Sequence, residues 1–222
     1  VGLTYLPFVT ISYAQILDGA LASAPVQPTI LSRIYSLNLT HLLRSRHDAI
    51  LAGIGTILAD DPQLTVRLVE GPDPQPIVVD GRLRFPENAR LLTNPKRVWI
   101  ATTAVAAAAA GPHKERLEAA GAEIYPLPAE ADGLVDLATL LTTVQQRGIR
   151  SVMVEGGAQI IGALLARRLV DFIIITMAPR LMGGLRLPAA YPTPLPRLDH
   201  PAYTPLGEDL VVWGRPEWSS GE

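Results

Sequence analysis

The sequence has 222 residues, of which 48% are hydrophobic, and a formal net charge of −2, so one domain with a sizeable core is expected over residues 1–222. No basic run exceeds two residues and no apolar run reaches the length of a membrane span, which argues against nucleic acid or a membrane as a partner. The chain contains no cysteine, which excludes disulfides and cysteine–zinc sites and fits a soluble, cytoplasmic protein, and no metal site is predicted.

The first half of the sequence alternates strand and helix patterns. Residues 8–14 alternate apolar and polar side chains and are rich in β-formers, which predicts a strand followed by a turn at Asp18-Gly19. Apolar residues between Leu31 and Arg46 recur at helical spacing, which predicts a helix with one apolar face. Further strands are predicted at 48–52, 75–81, 97–101 and 123–126, a helix at 112–120, and a helical or loosely ordered alanine-rich run at 104–110.

The second half of the sequence continues the pattern to the last strand. Asp136 is predicted to cap a helix that Gly148 closes. The nearly continuous apolar run 171–178 predicts a central strand that is buried on both faces. Residues 185–207 are rich in proline and are predicted to be irregular, and a last strand at 209–214 is expected to run antiparallel to its neighbour. Together the elements predict an α/β fold with a mixed, mostly parallel sheet.

The most informative stretch begins at Ser151. Residues 151–154 have the composition of a strand, Glu155 follows at its carboxyl end, and Gly156-Gly157 predict a tight turn into a helix. Such a turn brings free backbone N–H groups and the positive end of a helix dipole to one point, which favours a phosphate. An ordinary strand-to-helix turn with a surface glutamate is the alternative at this point.

A second glycine-containing turn follows the predicted strand at 48–52. Gly53-Ile54-Gly55 would let a ligand approach the backbone closely. The dinucleotide-binding fingerprint requires a third glycine three residues later, where Leu58 stands. The stretch is therefore not a standard Rossmann turn.

Five blocks of the sequence carry a family resemblance: Ala14–Gly19, Leu43–Arg67, Pro76–Asp80, Val154–Gly157 and Ala178–Gly184. Together they resemble the riboflavin-biosynthesis reductase family, which comprises the reductase half of bacterial deaminase–reductases and the stand-alone archaeal and fungal reductases. The resemblance extends from about residue 8 to about residue 214, the expected core of the domain. It implies a dihydrofolate-reductase-like fold with a helix-flanked sheet and an antiparallel C-terminal strand, NADPH as the cofactor, and a homodimer.

The resemblance also implies roles for individual residues. Contacts to the cofactor are implied for Ala14, Thr56, Asp60, Asp80, Gly156, Gly157, Ala158, Gln159, Ile160, Ile161, Gly162 and Ala163. Contacts to the substrate are implied for Arg44, Leu64, Arg67 and Glu155. Arginines suit a phosphate group, and a carboxylate suits the N–H and hydroxyl donors of an aminopyrimidine ribosylamine. Glu155 and Asp60 are the candidates for a catalytic proton donor.

The reaction that the resemblance implies is hydride transfer from the nicotinamide to C1′ of a phosphoribosylamino-pyrimidine, which yields the ribityl form. A chain without cysteine cannot build the zinc site of a nucleobase deaminase, and a lone reductase favours the 2,5-diamino-pyrimidinone phosphate as substrate. Three alternatives stay open: the corresponding 5-amino-uracil phosphate as substrate, a dihydrofolate or pteridine reductase, and a non-catalytic NADPH-binding module.

Overall fold

The fold is a nine-stranded sheet with helices on both faces. A computed structural model describes residues 6–21, 34–181, 183–187 and 196–218. The strands are β1 (Phe8–Ile16), β2 (Ala49–Gly53), β3 (Gln75–Val79), β4 (Trp99–Thr103), β5 (Glu123–Leu127), β6 (Ser151–Val154), β7 (Phe172–Ala178), β8 (Arg197–Leu206) and β9 (Asp209–Glu217). The helices are α1 (Ile34–Ser45), α2 (Ile54–Asp60), α3 (Ala104–Ala109), α4 (Pro112–Ala119), α5 (Leu137–Gln146) and α6 (Ala158–Ala166), with a 3₁₀ turn at Arg90–Thr93.

The strands follow the order β5-β4-β3-β2-β6-β1-β7-β9-β8. All neighbours from β5 to β7 are parallel, whereas β9 pairs antiparallel with both β7 and β8. This arrangement confirms the predicted α/β fold with a mostly parallel sheet and an antiparallel C-terminal strand. The carboxyl ends of β3, β2, β6 and β1 lie side by side, and this edge is where open α/β sheets bind ligands.

Apolar side chains fill a core on each face of the sheet. On one face, Leu51 of β2 and Val154 of β6 belong to the same cluster as Leu140 of α5. On the opposite face, Ile50 of β2 belongs to a second cluster with Leu117 of α4. Successive residues of a strand point to opposite faces, so strands that are apolar throughout become buried on both.

Helix α5 shows how local sequence sets the helix ends. The Asp136 carboxylate accepts hydrogen bonds from the backbone N–H groups of Ala138 at 2.9 Å and Thr139 at 3.0 Å. Gly148 adopts a φ of +87° just beyond the last turn, which suits glycine. Both ends therefore agree with the prediction.

The longest helix in the described ranges, α1, has 12 residues, and no described helix has the length and apolarity needed to cross a bilayer.

The apolar side of α1 is not the side that the fold buries. Ile34 and Tyr35 are 57% and 59% exposed. The buried residues of the helix are Ser36, His41 and Arg44. The Ser36 hydroxyl donates to the carboxylate of Asp209 in β9, so the buried side of the helix is held by a polar contact and is not the side on which an apolar core was expected. Leu31 to Arg33, where the predicted helix begins, lie outside the described residues.

The C-terminal region differs from the prediction in two respects. Residues 197–206, which are part of the segment predicted to be irregular, form strand β8. Strand β7 is not at the centre of the sheet, because it joins the parallel strands to the antiparallel pair β9 and β8. Residues 188–195 of the same segment lie outside the described residues.

Candidate active site

Two strand-to-helix turns meet at the carboxyl edge of the sheet. Strand β2 passes directly into α2, and β6 is joined to α6 by three residues. The N–H of Gly53 donates to the carbonyl of Gly156 at 3.3 Å, and the N–H of Glu155 donates to the carbonyl of Leu51 at 3.0 Å. The two turns therefore form one hydrogen-bonded unit that sets the starts of two helices beside each other.

The close approach of the two turns requires glycine. Gly157 has a φ of +84°, in the left-handed region that disfavours other residues. A Cβ atom at this position would lie 3.3 Å from both N and Cα of Gly53. A Cβ atom on Gly53 would lie 2.9 Å from Cγ1 of Ile160. A side chain at Gly157 would thus press on the backbone of the neighbouring turn, and one at Gly53 would displace the side chain of Ile160.

The first turn of α6 has the features of an anion site. The N–H of Ile161 donates to the carbonyl of Gly157 at 3.1 Å, and no side chain among the described residues caps the helix. The amides of residues 158–160 therefore have no acceptor within the helix. The Thr56 hydroxyl faces the same turn, 3.4 Å from the place of a Cβ on Gly156. Uncapped amides, a helix dipole and a glycine cradle fit the pyrophosphate of a dinucleotide.

The other predicted cofactor residues near this turn differ in access. Gln159 is exposed, and Ala158 is partly exposed. Ile161 and Gly162 are buried, whereas Ile160 and Ala163 are partly buried against the core. Ala14 is partly exposed on β1, opposite Thr176 of β7. The residues at the start of α6 are therefore accessible to a ligand, whereas the Ile161 side chain packs in the core beneath the helix.

Asp60 shares one side of α2 with Thr56. They are four positions apart in the sequence, which places both side chains on the same side of the helix. Asp60 is the last residue of α2 and is exposed, yet partial burial raises the pKa of its carboxyl above the usual range. A carboxyl group that keeps its proton to higher pH is better suited to donate one.

Asp80 is placed at the carboxyl end of β3, but its carboxyl group is fully buried. One carboxyl oxygen accepts the N–H of Arg84, and the other lies 3.9 Å from Nε of Arg84. Burial raises the pKa of Asp80, while these contacts to Arg84 act in the opposite direction. The carboxyl group anchors the turn after β3 and presents no exposed oxygen to a ligand.

An ion pair joins two of the predicted substrate residues, Arg44 of α1 and Glu155. Nε and Nη2 of Arg44 each lie 2.6 Å from a carboxylate oxygen of Glu155, and both side chains are 11% exposed. Nη1 donates to the carbonyl of Thr65 at 2.8 Å. The described contacts occupy three of the five N–H groups of the guanidinium and orient the carboxylate directly before Gly156.

Leu64 and Arg67 lie on the segment that follows α2. Leu64 is 2% exposed and has a φ of +52°, so its side chain belongs to the core. Arg67 is exposed, and its Nη1 donates to Oγ1 of Thr65 at 2.8 Å. Burial lowers the pKa of Arg67, and the nearby charges of Arg44 and Arg90 lower it further. The charges of Asp73 and Glu155 act in the opposite direction. Arg67 is thus an exposed cation beside the Arg44–Glu155 ion pair, and an exposed guanidinium suits a phosphate group.

His41 is a residue of this site that was not predicted from the sequence. The residue is buried in α1, three residues before Arg44, and accepts a hydrogen bond from the backbone of Arg67. The available signal was the spacing, because residues three apart in a helix share a side and Arg44 was already a candidate.

These features define the class of the protein: an α/β fold with its candidate site at the carboxyl edge of a mostly parallel sheet. The chain belongs to the RibD C-terminal domain family, whose model matches residues 7–212. It is 36% identical over 190 residues to the 2,5-diamino-6-ribosylamino-4(3H)-pyrimidinone 5′-phosphate reductase of Debaryomyces hansenii, covering 80% of this chain and 76% of the relative. The reductase of the same name from Archaeoglobus fulgidus is 35% identical over 188 residues, covering 80% and 83%.

Solved structures agree with this membership. The riboflavin biosynthesis reductase Rib7 of Saccharomyces cerevisiae superposes with a TM-score of 0.78 and 27% identity, over 98% of this chain and 92% of that one. Dihydrofolate reductase from Enterococcus faecalis superposes with a TM-score of 0.52 and 11% identity, over 94% and 96%. The second likeness concerns the fold alone and confirms that the fold is dihydrofolate-reductase-like.

Proposed function

We propose that the chain is an NADPH-dependent reductase of riboflavin biosynthesis. Its proposed substrate is 2,5-diamino-6-(5-phosphoribosylamino)pyrimidin-4(3H)-one, reduced at C1′ to the ribityl form. One observation carries the proposal: Glu155, held by Arg44, is followed directly by the glycine turn and the uncapped start of α6. A carboxylate for the substrate and an anion site for the cofactor therefore adjoin. The names of the fungal and archaeal relatives support the substrate class.

Each part of the site has a defined task in this reaction. NADPH, when bound, supplies the hydride. The amides of residues 158–160 hold its pyrophosphate, and the Thr56 hydroxyl supports them from the neighbouring turn. Glu155 accepts the N–H and hydroxyl donors of the substrate and so fixes C1′ relative to the cofactor. Asp60 donates the proton that the opened ribosylamine requires, which its raised pKa favours.

NADPH oxidation measured with both pyrimidine phosphates in parallel tests this function. We expect faster oxidation with the 2,5-diamino-pyrimidinone than with the 5-amino-uracil, and a ribityl product from either. Faster turnover of the uracil would reverse the order of the two substrates. Turnover of dihydrofolate alone would indicate a pteridine reductase. Binding of NADPH without its oxidation in the presence of any of the three substrates would indicate a non-catalytic binding module.

The Arg67→Ala variant should raise the KM for the pyrimidine phosphate about tenfold or more, because a charge-assisted bond to phosphate contributes roughly 1.5–3 kcal/mol. The KM for NADPH should change little. Steady-state kinetics with each substrate varied in turn measures both values. Arg150→Ala is the matched control, since this side chain is 87% exposed beside the amino end of β6. Equal changes in both KM values would count against a phosphate contact by Arg67.

We also propose that the protein is a cytoplasmic homodimer. Tyr35 of α1 and Tyr203 of β8 are 59% and 64% exposed. A Cβ on Gly207, in the turn between β8 and β9, would lie 2.8 Å from the Tyr35 ring, so the hairpin packs beside α1. Exposed apolar groups of two adjoining elements favour a protein partner. Light scattering tests the proposal, and a monomeric mass would contradict it.

A further inference from the structure

His41 lies in the second half of α1 and is 4% exposed. Its Nδ1 atom is 3.0 Å from the backbone nitrogen of Arg67 and accepts that N–H. An imidazole nitrogen that accepts a hydrogen bond carries no proton, so this contact requires the neutral tautomer of the ring, with its one proton on Nε2. The bond joins the helix that carries Arg44 to the segment that carries Arg67.

The electrostatics around His41 keep the ring neutral. Burial, helped by the charges of Arg44 and Arg67 and opposed to a smaller extent by Asp73, lowers the pKa of His41 to about 4. Near neutral pH the ring is therefore uncharged and Nδ1 is available as an acceptor.

Side chains hold the backbone of the segment at three successive residues. The carbonyl of Thr65 accepts from Arg44 at 2.8 Å, and the N–H of Val66 donates to Asp73 at 2.6 Å. The N–H of Arg67 donates to His41, as described above. Leu64, directly before them, has a φ of +52°. Contacts from outside the segment thus hold a backbone whose conformation is unfavourable at Leu64.

The Arg67 guanidinium is left with neutral partners. Within the described residues, its hydrogen bonds go to Oγ1 of Thr65 at 2.8 Å and Oε1 of Gln63 at 3.4 Å. The charges of Arg44 and Arg90 repel it, whereas those of Asp73 and Glu155 attract it. An exposed cation whose hydrogen bonds go to neutral acceptors is suited to an anionic ligand, and its reach to that ligand depends on where its backbone is held.

We propose that His41 is a positioning residue, which fixes the backbone of Arg67 so that its guanidinium meets the phosphate group of the substrate. This inference deepens the proposed function and rests on it for the identity of the substrate. The contact between His41 and Arg67 does not depend on that identity, so the role can be tested with phosphate ligands as well.

Two variants separate the acceptor from packing, one that keeps an acceptor in a smaller side chain and one that keeps the volume. In His41→Asn, the amide oxygen takes the place of Nδ1 and can accept the Arg67 N–H, provided that the amide is oriented accordingly. In His41→Leu, the volume is retained and the acceptor is lost. We expect His41→Leu to raise the KM for the pyrimidine phosphate about tenfold and His41→Asn less than about threefold, from the loss of one buried hydrogen bond. In both variants, kcat and the KM for NADPH should change less than about twofold.

A double-mutant cycle with Arg67→Ala distinguishes positioning from general destabilisation. If His41 acts through Arg67, His41→Leu adds no further rise in KM once Arg67 is alanine. An unchanged KM in folded His41→Leu, or an equal further rise in the Arg67→Ala background, would overturn the proposal. If His41→Leu does not fold, His41→Ala takes its place in the same cycle.

Titration with ribose 5-phosphate keeps the test separate from the proposed function. Calorimetry on the wild type, His41→Asn and His41→Leu, with NADP⁺ present to occupy the α6 site, should show weaker binding in His41→Leu alone. If the wild type reduces neither pyrimidine but this pattern is found, the proposed function fails and the role of His41 stands. Equal affinities in all three proteins would refute the role of His41 while leaving the reductase reaction untouched.

Discussion

The Gly157→Asp variant is expected to lose NADPH affinity by at least about 100-fold, or roughly 2.7 kcal/mol, while keeping its fold. A Cβ at this residue would crowd the backbone of Gly53 at 3.3 Å. The new carboxylate would accept hydrogen bonds from the amides at the start of α6, much as a capping residue does, and would repel a pyrophosphate from the same place. The φ of +84° adds a backbone cost of about 1–2 kcal/mol. Fluorescence titration with NADPH measures the affinity.

Two further variants divide this effect into its causes. Gly148→Asp bears a similar backbone cost, because Gly148 has a φ of +87°. No described atom lies within 4 Å of the added Cβ, and Gly148 follows α5 at the opposite end of the sheet. Its NADPH affinity should equal that of the wild type. Gly157→Ala adds the Cβ without the charge and should be intermediate. A folded Gly157→Asp protein with wild-type affinity would refute the assignment of the pyrophosphate to this turn.

The Arg44→Met variant is expected to lower the free energy of unfolding by about 3 kcal/mol, because it removes one partner of a buried ion pair. Glu155 would keep its charge at 11% exposure without the two bonds of 2.6 Å that now balance it. The carbonyl of Thr65 would also lose its donor. Urea unfolding followed by circular dichroism measures the change, and reductase activity should fall with it, since the Glu155 carboxylate is no longer oriented.

An exposed ion pair gives the control for this prediction. Arg197 and Glu217 form a bond of 2.9 Å, but their side chains are 70% and 44% exposed, so Arg197→Met should cost less than about 1 kcal/mol. Adding Glu155→Gln to Arg44→Met removes the uncompensated charge and should restore part of the stability. Equal free energies of unfolding for Arg44→Met and Arg197→Met would show that the Arg44–Glu155 ion pair stabilises the fold no more than an exposed pair does.

The features that could be predicted from sequence are those whose signals lie within a few residues of one another. The cap at Asp136, the glycine at Gly148 and the apolar strands each depend on local backbone conformation or on alternating faces. The turn at Gly156-Gly157 was also recognisable, because two glycines after a strand and before a helix leave few other conformations.

The buried side of α1 could not be predicted, because its partners come from distant parts of the chain. Ser36 bonds Asp209, and His41 bonds the backbone of Arg67, so polar groups are buried and satisfied on a side of the helix that its apolar pattern does not mark as buried. Burial of Arg44 likewise depends on Glu155, 111 residues away. Only the resemblance pointed to Arg44, and no pattern in the helix itself predicted that its charge would be paired inside the protein.

Strand β8 was missed for a different reason. Its sequence contains Pro201 and Pro205, which argue against a strand in the interior of a sheet. The strand lies at the outer edge of the sheet and pairs with β9 alone, so a missing N–H can be tolerated on its open side. Whether proline can be accommodated depends on the position of the strand in the sheet, and that position cannot be read from the local sequence.

The contact between the turns at Gly53 and Gly157 has a consequence for how this sequence can change over time. Because a methyl group on residue 53 would press on Ile160, a larger residue there becomes acceptable only if residue 160 shrinks in step. Positions 53, 157 and 160 should therefore vary as a set among descendants of this chain, and a library randomised at all three should return correlated rather than independent solutions.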